Sequence, residues 1–157
     1  TTNPSSNWAA GDVQLADDDS NTALFNATNL KPGSTGTKCL VVTSSGSLAS
    51  TVKLYGTGYS TTNGLASSLN LKVEEGTGGT FNNCTGFTAS GAAIYEGTAA
   101  AFGTGKTSFA TGVGSWAPAA GSQTRTYRVT YTLSSSTPDS AQDGTVQLGL
   151  TWEAQNS

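Results

Sequence analysis

The chain has 157 residues, enough for one domain with a real core, and 35% of them are hydrophobic. Charged residues make up only 11%, which excludes the charge-rich composition of a typical disordered chain. A net charge of −3 and a pI near 4.6 exclude both the basic face of a nucleic-acid binder and electrostatic docking on anionic membranes. No apolar run approaches the roughly 20 residues of a membrane span. Ser, Thr, Gly and Asn fill the remaining positions. Thr suits strands because its β-branch fits a pleated surface, and Gly, Asn and Ser supply turns. The composition therefore predicts many short strands, tight connections and little helix.

In chain order, Trp8 to Leu15 is the first expected strand, with Val13 and Leu15 on one face. Thr22 to Ala27 follows with Leu24. Thr37 to Thr43 contains Cys39, Leu40, Val41 and Val42, a nearly continuous apolar run expected of a central strand. Ser50 to Tyr55 aligns Val52 with Leu54, and Ser68 to Glu74 aligns Leu69, Leu71 and Val73. Gly76 to Gly114 is rich in Gly and predicts long loops with short strands. Ala92 to Phe102 is the best helix candidate, but Gly97 interrupts it, so a single turn or a strand fits equally well. Tyr127, Val129, Tyr131 and Leu133 alternate with Thr126, Arg128, Thr130 and Thr132, the period of a half-buried strand. After a polar loop at Ser134 to Asp139, Val146, Leu148, Leu150 and Trp152 alternate in the same way. The two runs are expected to pair antiparallel. Nothing reads as an interdomain linker or an internal repeat. The expected architecture is all-β: a single jelly-roll-like β-sandwich over residues 8–157, preceded by an extended N-terminal arm, residues 1–7.

Catalytic chemistry is sparse. The absence of histidine removes the usual general base, the Ser-His-Asp triad and the HExxH zinc site. Most acidic residues are expected in loops, and Glu74 and Glu75, as neighbours on a strand, point to opposite faces and cannot act as a pair. Lys31, Lys38, Lys72 and Lys106 sit in no SxxK motif; Ser50-Thr51-Val52-Lys53 has that spacing, but on the expected strand Ser50 to Tyr55 positions three apart point to opposite faces. Gly105-Lys106-Thr107 looks like the end of a phosphate-binding loop, but Ala100 stands where that motif needs glycine, so a surface turn is expected. Asp17-Asp18-Asp19-Ser20-Asn21 is an acidic turn without EF-hand spacing and reads as a solvated hairpin tip. The expectation is no enzyme, no metal and no cofactor. Asn26-Ala27-Thr28 and Asn83-Cys84-Thr85 match the glycosylation sequon, a match that a Thr-rich chain also makes by chance; Asn3-Pro4-Ser5 is excluded by its proline. Trp8, Trp116 and Trp152 are candidate sugar platforms; Trp152 reads as core from its place on the apolar face, while Trp8 and Trp116 sit beside loops, which leaves either role open to them.

The chain opens at Thr1 and contains no Met, which reads as a processed product with its signal peptide removed, although an edited chain would open the same way. Cys39 and Cys84 lack the CxxC spacing of a redox or zinc site. In an exported chain they would form one disulfide, closing a loop of about 46 residues and contributing about 4 kcal/mol in the chain-entropy model. Two buried thiols, or a bond between subunits, are the alternatives.

Three segments carry a resemblance. Trp8-Ala9-Ala10-Gly11-Asp12-Val13-Gln14-Leu15 leads an aromatic and small residues into an alternating strand. Asn29-Leu30-Lys31-Pro32-Gly33-Ser34 precedes a central strand and then Ser45-Gly46-Ser47-Leu48. Val146-Gln147-Leu148-Gly149-Leu150-Thr151-Trp152-Glu153-Ala154 closes the domain. In this order they resemble the TasA/camelysin family of secreted biofilm-matrix proteins, anchoring residues 8–55 and 143–154; the middle is not matched in detail.

The resemblance implies a jelly-roll domain, an extracellular location and a homopolymeric fibre. In such a fibre the N-terminal segment of one subunit adds as a strand to the next, satisfying unpaired backbone groups at a sheet edge. On this chain the donor is Thr1, Thr2, Asn3, Pro4, Ser5, Ser6 and Asn7, with Trp8 at the junction. This arm departs from a good donor strand: it carries no large apolar residue, and Pro4 removes one N–H from the ladder. Partners implied are identical subunits, with matrix polysaccharide or other matrix proteins beside them. The alternative function is a monomeric cell-surface carbohydrate-binding or adhesion domain.

Overall fold

A computed structural model describes residues 2–3, 13–17, 30–81, 83–141 and 143–156, with residues 2–3 and 13–17 described as backbone. Two sheets pack face to face. One has the order β1 (Thr2–Asn3), β10 (Val146–Asn156), β4 (Ser50–Thr61), β8 (Val113–Trp116). The other has the order β2 (Val13–Asp17), β3 (Thr35–Gly46), β9 (Gln123–Leu133), β5 (Leu69–Thr77), β6 (Thr88–Ala89), with β7 (Tyr95–Thr98) also pairing with β5. The all-β sandwich expected from composition is the fold.

The long strands follow the predicted alternation. Val52 and Leu54 on β4 point inward with Trp152 and Ala154 on β10, and meet Leu40, Val42, Leu71, Val73, Tyr127 and Val129 from the opposite sheet. The Tyr127 and Trp152 rings lie 5.2 Å apart and join the two layers at the centre. Burying a side chain of that size stabilises the fold by about 1.5–3 kcal/mol. β3 lies between β2 and β9, as expected of a central strand.

One expected pairing is corrected. β9 and β10 do not pair: β9 lies between β3 and β5, and β10 between β1 and β4, in the other sheet. Their apolar faces oppose each other across the core instead. The connection 134–145 explains this, since it is far longer than a hairpin turn and crosses from one layer to the other.

The Gly-rich middle forms short elements, as its composition suggests. The predicted stretch from Ala92 to Phe102 divides after Thr98, one residue past Gly97, into β7 and a two-turn helix, α1 (Ala99–Gly105). Thr98 caps the helix, its hydroxyl accepting the Ala101 N–H at 3.1 Å. Phe102 drives into the core, and Gly103 packs so tightly on the Tyr59 ring that a Cβ there would lie 2.3 Å from ring atoms. The expected strand at Thr22 to Ala27, and residues 8–12 of the first expected strand, lie outside the described residues.

Candidate functional site

The donor arm called from sequence reaches the described structure at Thr2 and Asn3. These form β1 and pair in parallel with β10, Thr2 opposite Trp152 and Asn3 opposite Glu153. Every other ladder among the described residues is antiparallel. Thr1 and the run Pro4, Ser5, Ser6, Asn7 and Trp8 lie outside the described residues.

The stretch of β10 that receives the arm is fixed on both faces. Inward, Trp152 is 1% exposed and packs on Tyr127. Outward, Glu153 is 8% exposed; it accepts the Tyr55 hydroxyl at 2.7 Å and the Gln155 Nε2–H at 2.8 Å. A carboxylate in an apolar strand needs such donors. Sequence reading missed this pair, and the signal available was the charge inside Leu150-Thr151-Trp152-Glu153-Ala154. β10 is thus held on both faces where Thr2–Asn3 pair with it.

On the second sheet, Cys39 and Cys84 form the intrachain disulfide, with Cα atoms 5.2 Å apart. Cys39, Arg128 and Glu74 are register partners in one row across β3, β9 and β5. Arg128 donates to both carboxylate oxygens of Glu74, at 2.8 and 2.9 Å, and its guanidinium lies 4.5 Å from the centre of the Phe87 ring. The β5–β6 connection thus crosses the outer face as a strap, fixed by the disulfide and by a bidentate ion pair under an aromatic ring. Its neck requires glycine: Gly78 has φ of 87°, and a Cβ there would lie 2.2 Å from the Gly86 carbonyl oxygen.

Glu74 and Glu75 face opposite sides, as the strand period demands. Glu74 holds Arg128 on the outer face, while Glu75 turns inward and accepts the Tyr127 hydroxyl at 3.1 Å. Burial, reinforced by the neighbouring Glu75 charge and its hydrogen bond, pushes the Tyr127 phenol well above the usual tyrosine range. The expectation that acidic residues sit mostly in loops is corrected: Asp17, Glu74, Glu75, Glu96 and Glu153 all lie on strands.

Other singled-out residues fall into place. Trp152 is core, as predicted. Trp116 is 4% exposed beneath Arg125, which corrects its reading as a candidate platform. Gly105-Lys106-Thr107 ends α1, whereas a phosphate loop opens a helix, so the surface turn stands. Of the acidic turn, Asp17 ends β2 and residues 18–21 lie outside the described residues. No cluster of metal-ligating side chains occurs among the described residues, and no described helix is long and apolar enough to cross a membrane. A cleft of about 1140 Å³ opens between the sheets, with an apolar floor that includes Leu69, Leu133 and Leu148, and with Lys31 and Asp143 at its rim. No protein-family model and no curated protein matches this chain.

Proposed function

We propose that the protein is a structural subunit of an extracellular fibre, polymerising when the N-terminal arm of one copy adds to the β10 edge of another. The observation that supports this reading is the place of Thr2–Asn3 as a parallel strand on β10, in a sandwich whose other described ladders are antiparallel. The pairing registers backbone against backbone and asks nothing of apolar side chains, so a polar arm suffices. A head-to-tail joint that does not close gives an open filament from one kind of subunit. The disulfide fits an oxidising, non-cytoplasmic setting. Alternation of the chain between layers, β3 to β4 to β5 and β8 to β9 to β10, supports the jelly-roll description. With Trp116 and Trp152 buried, the carbohydrate-binding alternative has no described tryptophan platform.

Negative-stain electron microscopy of the protein and of a variant lacking residues 1–7 tests the reading. Filaments from the first and monomers from the second are expected. Filaments from both would move the joint elsewhere, and monomers from both would overturn the fibre.

A further inference from the structure

The sequon Asn83-Cys84-Thr85 lies on the strap across the outer face of the second sheet. Asn83 and Thr85 are both exposed, while Cys84 between them is tied to Cys39. The backbone of Asn83 is fixed by two hydrogen bonds to Thr80, of 2.8 and 3.0 Å. Its carboxamide oxygen accepts the Thr85 N–H at 3.0 Å. Among the described residues, no hydrogen bond engages Asn83 Nδ2 or the Thr85 hydroxyl. The acceptor nitrogen and the hydroxyl that defines the sequon are therefore presented to solvent together, on a segment already held in shape.

We propose that Asn83 is a site of N-linked glycosylation, taking its oligosaccharide from a lipid-linked phosphate donor. In the transfer, Nδ2 attacks the anomeric carbon of the first sugar. The bond from that carbon to the phosphate oxygen breaks, and the lipid phosphate leaves with the electron pair. Nδ2 gives up one proton, which balances the charge on the departing lipid phosphate. The Thr85 N–H on the carboxamide oxygen assists, because it stabilises the negative charge that gathers there as the proton departs. The glycan would stand on the outer face of the sheet that does not contain β10, so the site is compatible with strand addition there and does not depend on it.

The test is peptide mapping of the protein purified from the cells that make it. After reduction, the tryptic fragment Val73–Lys106 contains Asn83 and no second sequon. It is expected to carry hexose and N-acetylhexosamine masses on Asn83. Both Asn83→Gln and Thr85→Ala should reduce that occupancy to zero, while Thr85→Ser, which restores a hydroxyl, retains part of it. Recovery of the Cys39–Cys84 cross-link from each variant before reduction shows that it has folded. An unmodified fragment from the native protein, or an adduct that survives Asn83→Gln, would overturn the proposal.

Discussion

At the β5 side of the sandwich, short elements crowd together: α1 packs on β4, β5 and β7, β6 and β7 both pair with β5, and the strap is bonded back to β3 through Cys39–Cys84. At the β10 side, the outermost described strand of the first sheet is the two-residue β1. The strap at the edge of one side is held by burial and covalent bonding, whereas β1 at the edge of the other is held by two register positions on β10. A protein that must keep its fold while exchanging a strand needs this asymmetry, because the exchanged element has to be drawn from the low-stability end of the structure.

The comparison breaks most easily in the core of the held side. Phe102 is fully buried, between α1 and the Gly56 region of β4. Phe102→Ala should destabilise the fold by about 3–5 kcal/mol, as large cavities in cores do. Urea denaturation would show it, and a loss below about 1 kcal/mol would mean that α1 is a surface ornament. Next comes the strap. Replacing Cys39 and Cys84 together by serine should cost about 4 kcal/mol in the chain-entropy model. An unchanged urea midpoint would show that Arg128, Glu74 and Phe87 hold the strap without the bond.

A smaller effect separates the interior from both sides. Tyr127→Phe keeps the ring against Trp152 but leaves the buried Glu75 carboxylate without its hydroxyl donor, a loss of about 1–3 kcal/mol near neutral pH. Because the folded protein holds the Tyr127 phenol above its unfolded value, the fold favours the protonated form. That contribution is complete below about pH 10, the usual tyrosine value, and is lost as pH rises through the folded value. Tyr95, also raised by burial, acts with the same sign. The gap between wild type and Tyr127→Phe should therefore narrow above about pH 10; a gap constant with pH would show that this phenol does not feel the fold.

The fold class and most strand faces were legible because period two survives wherever one face is buried: Val52 with Leu54, and Leu69 with Leu71 and Val73, sit inside as their spacing requires. The partners of those strands were not legible. Adjacent runs such as Tyr127–Leu133 and Val146–Trp152 share a pattern whether they pair edge to edge or oppose each other across a core. Only the length of the connection between them carries the distinction. Trp116 misled for a related reason, since a tryptophan at the end of a four-residue edge strand has no alternation to declare its face. Sequence reading singled out an N-terminal arm, of which Thr2–Asn3 are a strand, but their partner β10 was silent, because backbone pairing in register leaves no side-chain signature.

The smallest effect on stability is expected from the arm, and it sharpens the comparison most. Thr2 and Asn3 contribute two register positions on β10, while Trp152, Tyr55 and Glu153 hold that strand from both faces without them. Removing residues 1–7 should therefore change the urea unfolding free energy by no more than about 1 kcal/mol, the scale of one or two net hydrogen bonds. The denaturant slope should stay the same, because the buried surface of the sandwich is unchanged. A loss of several kcal/mol would instead make β1 an integral strand, since an element that stabilises its own subunit so strongly cannot readily be given to another. A small change, measured on the same variant that fails to form filaments, would separate assembly from folding: the arm would then be bound weakly enough to leave its own β10 and placed well enough to register on a neighbour's.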